Sequence, residues 1–176
     1  MSPVDLGAVV RELEAHAAAG GWDRPERLFA LVDTAELLTR EPQLADALGV
    51  VEGEADGLTP VEQEPLPPGT SLEQVLAEIV WPPDVAGCAA IAERVVLPPE
   101  ADAQVPEDPH EAQAFAAHHP DREDVRIVAA ALRGGASACA VRLRSHDDAE
   151  SVVASPDLVP ELLMMLHATL DLEESP

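Results

Sequence analysis

The chain has 176 residues, 47% of them hydrophobic and 2% aromatic, and its 34 acidic against 10 basic residues give a formal net charge of -24. Such a charge repels nucleic-acid backbones and anionic membrane surfaces, so basic proteins, cations and uncharged surfaces are the partners to expect. The apolar share suffices for a packed core, and the length suits one α+β domain spanning residues 1–176.

Because Trp22, Phe29, Trp81 and Phe115 are the only aromatic residues, the core must be built from Leu, Val, Ile and Ala, which forces elements to approach closely. All ten basic residues are Arg. Without Lys, Schiff-base chemistry and lysine phosphate grips are excluded. The acidity also has an ordinary explanation, since charged surfaces keep proteins soluble. Cys88 and Cys139 stand in apolar stretches and make no CxxC, which reads as two reduced core thiols of a cytoplasmic protein. No apolar run reaches membrane-spanning length, and the acid-bearing start reads as an amphipathic helix rather than a signal peptide.

The first helix is expected over about 3–19, capped by Ser2 with Asp5, striped by Leu6, Val9, Val10 and Leu13, and stopped by Gly20-Gly21. RLFALV at 27–32 is apolar on both faces and predicts an interior strand. Asp33 then caps a short helix with Leu37 and Leu38 inward, and Pro42 opens another helical turn to Leu48. Residues 50–69 hold five acids, four prolines and no basic residue, and predict an extended acidic loop. Thr70 and Glu73 form a capping box for a helix ending at Trp81-Pro82-Pro83. VAGCAAIAERVVL at 85–97 predicts a long strand in which Gly87 marks a bulge or a close backbone approach. A second acidic, proline-bearing loop covers about 98–108, and Asp108 starts a helix that ends near His118-His119.

DVRIVAAALR-GG-ASACAVRLR predicts a β-hairpin with Gly134-Gly135 at the turn. A two- or four-residue loop puts Val128, Leu132, Cys139, Val141 and Leu143 on the core face. It leaves a second face carrying Val125, Ile127, Ala129, Ala131, Ala138 and Ala140 and ending in Arg142 and Arg144, whose Ala-rich centre suits a closely packed helix or a second subunit. A three-residue loop would flip one strand relative to the other. The last helix is expected from Ser155 or Asp157, packing through Leu158, Leu162, Leu163, Leu166 and Leu170. These elements predict an α+β fold with a mostly antiparallel sheet of about four strands packed by several helices.

Charge is segregated along the chain. Residues 125–144 contain Arg126, Arg133, Arg142 and Arg144 and no acid, whereas 145–176 contain eight acids and no Lys or Arg. Either these arginines pair with the acidic flanks and hold loops down, or Arg142 and Arg144, with Arg126, grip an anion or carboxylate. Trp81 is a further binding candidate if exposed, and a seal on a helix end if not. The acidic run 52–57 departs from a calcium loop, His118-His119 lacks the helical spacing of a metal pair, and His146-Asp147-Asp148 reads as a turn. No motif for a nucleophile, a phosphate loop or zinc is present, so no catalytic residue, metal or cofactor is assigned.

The segments GWDRPERLFALVDTAELL, EIVWPPDVAGCAAIAERVVLPP and HPDREDVRIVAAALRGGASACAVRLR resemble a family of small acidic actinobacterial proteins. The resemblance carries no established activity and hence no site residue. The reading to be tested is a non-enzymatic interaction or regulatory protein, homodimeric or bound to another protein. Its rivals are an anion-binding domain or unrecognised enzyme using the Arg-bearing hairpin, and an acidic nucleic-acid mimic.

Overall fold

A computed structural model describes residues 5–43, 57–156 and 158–171. The chain runs α1 (Leu6–Gly20), β1 (Arg27–Asp33), α2 (Thr34–Arg40), β2 (Leu58–Glu62), α3 (Leu72–Glu78), β3 (Gly87–Val96), α4 (Pro99–Asp102), α5 (Pro109–His118), β4 (Glu123–Leu132), β5 (Ser137–Leu143), β6 (Val153–Ser155) and α6 (Pro160–Leu170). The fold is α+β, with one antiparallel sheet in the order β2-β1-β3-β4-β5-β6. Six strands replace the expected four or so. β2 was hidden inside an acidic stretch containing Pro60, which an edge strand tolerates. β6 has three residues, too few to show alternation, and the helix after it starts at Pro160 instead of near residue 155.

The sheet separates two cores. On one face α1 lays Leu6, Val9, Val10, Leu13 and Ala17 against Phe29, Leu31, Ala89, Ile91, Val128, Ala130, Ala138 and Ala140. On the other, Leu72 and Leu76 of α3 and Leu163, Leu166 and Leu170 of α6 cover Cys88, Ala90, Ala129, Ala131 and Cys139. Alanine at the centre of both faces lets helices sit close without aromatic filler. Gly87 is the tightest approach: a Cβ there would lie 2.4 Å from the Ala131 carbonyl oxygen.

The β4–β5 turn decides which residues share a face. Leu132 N–H donates to Ala136 O at 2.9 Å, leaving Arg133, Gly134 and Gly135 as a three-residue loop with Gly135 at φ 96°. This is the loop length that flips one strand. Cys139 therefore faces Ala129 rather than joining Val128, and Val128 faces Ala140. The same flip sets Arg126 directly opposite Arg142. The Ala-rich surface is not open: Ala138 and Ala140 lie under α1, and Ala129 and Ala131 belong to the core covered by α3 and α6.

Local signals behave as their chemistry dictates, with shifts of register. Asp5, whose carboxylate accepts from Ala8 N–H at 3.0 Å, caps α1; Ser2 lies outside the described residues. Asp33 and Asp108 cap α2 and α5 as expected. The α3 capping box is Ser71–Gln74, one residue later than Thr70–Glu73, with Ser71 N–H donating to Gln74 Oε1 at 2.8 Å. Leu158 precedes α6, is 36% exposed and lies outside the core, and the helical turn expected from Pro42 to Leu48 lies mostly outside the described residues. No helix among the described residues is long and apolar enough to cross a membrane.

Candidate functional site

Glu14 occupies a position in the apolar stripe of α1 (Val10, Leu13, Glu14, Ala17), so it is carried into the core at 3% exposure. It meets Arg126 and Arg142, themselves 2% and 6% exposed. Two guanidiniums directly opposite on neighbouring strands would repel, and the shared carboxylate compensates them. Arg142 Nε donates to Glu14 Oε1 at 2.9 Å and a second Arg142 nitrogen donates to the same oxygen. The third Arg142 nitrogen donates to Asp147 Oδ1 at 3.0 Å. Arg126 sits 3.7 Å from Glu14 Oε2, and its other terminal nitrogen donates to Gly21 O at 2.8 Å. Two carboxylates thus balance two guanidiniums. The Arg142 hydrogen bond holds the Asp147 carboxyl below its ordinary value.

This cluster secures a strap, residues 21–26, that leaves α1 and enters β1. Gly21 takes φ 81° to leave the helix, and Asp23 takes φ 63°, a left-handed conformation that Asp tolerates better than most residues. Both oxygens of Glu93, on β3, accept strap amides: Asp23 N–H at 2.9 Å and Arg24 N–H at 2.8 Å. The Arg126 guanidinium lies 4.3 Å from the Trp22 ring centroid and that of Arg144 lies 5.5 Å away, both within cation–π range. Arg144 forks onto both oxygens of Asp23, at 2.9 and 3.0 Å, and holds that carboxyl below its ordinary value.

The structure therefore brings Arg126, Arg142 and Arg144 together and commits each to a partner inside the chain. Arg133 is not with them. At the turn end of the hairpin it donates to the carbonyls of Trp81 (3.0 Å), Pro82 (2.8 Å), Val85 (2.7 Å) and Leu170, tying the end of α6 to the loop before β3. Trp81 is 8% exposed and packs in the core beneath α3 and α6, its backbone N–H donating to Thr169 O at 3.0 Å, far from the arginine cluster in the fold. His118 ends α5 and His119 caps it, while His146 closes a 3-10 turn and Asp148 starts the next; Asp148 accepts from Ser151 N–H and His119 Nδ1 accepts from Asp121 N–H. No group of His, Cys, Asp and Glu among the described residues could hold a metal ion. The 52–57 run lies almost wholly outside the described residues.

Beside the strap lies a cleft of about 490 Å³. Its walls are the end of α1 (His16, Ala17, Ala19, Gly20), the strap (Gly21, Arg24, Pro25, Glu26) with Arg27 at the start of β1, and the chain leaving β2 (Glu62–Pro65). Ile91, Ala92, Glu93 and Arg126 line it from the sheet. The Arg27 guanidinium forks onto Glu62 at 2.8 Å to each oxygen and holds the Glu62 carboxyl below its ordinary value. Arg24 differs from the rest. It is exposed, and its guanidinium lies across Gly20, where a Cβ would be 3.5 Å away. Its side chain makes no hydrogen bond or ion pair among the described residues. Each of the other nine arginines has an acidic or carbonyl partner. Sequence reasoning missed Glu14, Glu93 and Arg24. Only Glu14 carried a legible signal, a carboxylate inside an apolar stripe.

No curated protein and no solved structure matches the chain. A family model described as PPA1309-like protein matches residues 6–171, which include α1, the strap, the whole sheet and α6. The chain belongs to the PPA1309-like protein family.

Proposed function

We propose that this protein binds a small anionic ligand in the cleft beside the strap and works without covalent chemistry, as a sensor or carrier. One observation supports it above the others. In a chain with 34 acids and 10 arginines, the one arginine with no partner among the described residues stands at the mouth of a cleft of ligand size. A surface arginine surrounded by carboxylates normally finds one. Leaving its guanidinium open while Glu93, Arg126 and Arg144 fix the strap beneath it is preorganisation for a ligand. The ribbon arginines then act as positioning residues, and Arg24 makes the contact.

A protein-docking role rested on the net charge, the missing motifs and a flat small-residue face, and it loses the last of these, since the small-residue faces of the sheet are covered by α1, α3 and α6. The composition, rich in Ala, Pro and Arg and lacking Lys, fits a GC-rich actinobacterial source and a cytoplasmic setting. A thermal-shift screen of small carboxylates and phosphates tests the proposal. A rise in melting temperature that Arg24→Gln abolishes supports it; no response to any anion refutes it.

A further inference from the structure

We infer that the ligand is an amphipathic monocarboxylate with an aliphatic body; the inference rests on the anion-binding reading above. The cleft offers one uncommitted guanidinium, whose fork matches the two oxygens of one carboxylate. A second anionic group would find no further uncommitted guanidinium among the described residues. It would meet Glu62, already engaged by Arg27, and Glu64, which has no partner among the described residues. A phosphate monoester, carrying about -1.5 to -2 at neutral pH, is disfavoured for the same reason. Between His16, Gln63 and the engaged charges of Glu26, Arg27, Glu93 and Arg126, the apolar part of the lining is Ala17 and Ile91 on one face of the sheet, with Pro25 and Pro65. No Trp, Phe or Tyr lines the cleft, whereas a hydrocarbon chain can lie against Ala17 and Ile91.

The test is calorimetric titration of the intact chain with butyrate, hexanoate and octanoate, and with octanol, octylamine, citrate and inorganic phosphate. Affinity for the carboxylates should rise about fourfold per methylene. Octanoate should bind at least about tenfold more tightly than octanol, the size of one charge-assisted contact. Arg24→Gln should bring octanoate to the level of octanol with the melting temperature unchanged, because the Arg24 side chain makes no hydrogen bond or ion pair among the described residues and the substitution keeps the backbone N–H that Glu93 accepts. Citrate or phosphate binding as tightly as octanoate, with the same loss in Arg24→Gln, would overturn the monocarboxylate inference and leave the anion cleft standing. Octylamine binding best, or affinity flat along the series, would overturn it as well. Absence of binding by every anion would overturn both readings.

Discussion

Replacing Glu14 by Ala is the most informative perturbation of the fold. The carboxylate is 3% exposed and is shared by guanidiniums that are 2% and 6% exposed on facing strand positions. Without it, Arg142 retains Asp147, Arg126 retains only the Gly21 carbonyl and the Trp22 ring, and the two facing cations are left with one carboxylate between them. Removing one partner of a buried ion pair costs about 3–5 kcal/mol. For a chain of this size that corresponds to a fall in melting temperature of about 6–20 °C. Glu14→Gln keeps the shape and one acceptor and should fall between wild type and Glu14→Ala. Replacing Glu14, Arg126 and Arg142 together by Leu, Met and Leu should recover most of the loss, because a well-packed apolar set often matches a buried charged one. Urea and thermal unfolding followed by circular dichroism read all three variants. A loss under about 1 kcal/mol for Glu14→Ala, the value of an exposed ion pair, would refute the buried shared carboxylate.

Other expectations follow from single contacts. Gly87→Ala places a methyl 2.4 Å from the Ala131 carbonyl and 2.6 Å from a Leu132 methyl. The backbone must shift, and urea unfolding should show a loss of about 1–3 kcal/mol. Burial pushes the Cys88 thiol up, so an aromatic disulfide reagent should label it only as fast as the chain opens, and at once in denaturant. Glu62 and Asp147 are held below their ordinary values of 4.5 and 3.8 by Arg27 and Arg142. Between the folded and the ordinary value such a carboxylate binds more protons unfolded than folded. Its stabilisation is therefore complete above the ordinary value and lost as pH falls through the folded one. The urea midpoint should drop below pH 4.5, and Arg27→Gln should blunt the part of that drop due to Glu62. A midpoint insensitive to acid would contradict both pairings.

What the sequence made legible was local. RLFALV, Gly87 and the Asp33 and Asp108 caps announce themselves through apolar runs and side-chain acceptors near a helix start. β2 did not, because Pro60 and flanking acids describe a loop and an edge strand equally well until β1 is known to lie beside it. The hairpin face depended on whether its loop holds two, three or four residues, and Arg-Gly-Gly permits each. That one choice determined whether Arg126 and Arg142 meet. The charge block at 125–144 drew attention to one region, yet a one-dimensional count cannot show that Glu14, more than a hundred residues away in sequence, neutralises two of its members. Arg24 was invisible for the converse reason, since a cation beside acids in sequence looks paired, and only the fold shows its side chain without a partner among the described residues.

Side-chain Nε–Hε spectra of the arginines, recorded while octanoate is added to the intact chain, test the central claim that the ribbon arginines hold the strap and Arg24 meets the ligand. The signals of Arg126 and Arg142 should resist solvent exchange and stay in place, and that of Arg24 should exchange fast in the free protein and shift on saturation. Movement of Arg142 or Arg144 with Arg24 unchanged would show that the ribbon itself grips the anion.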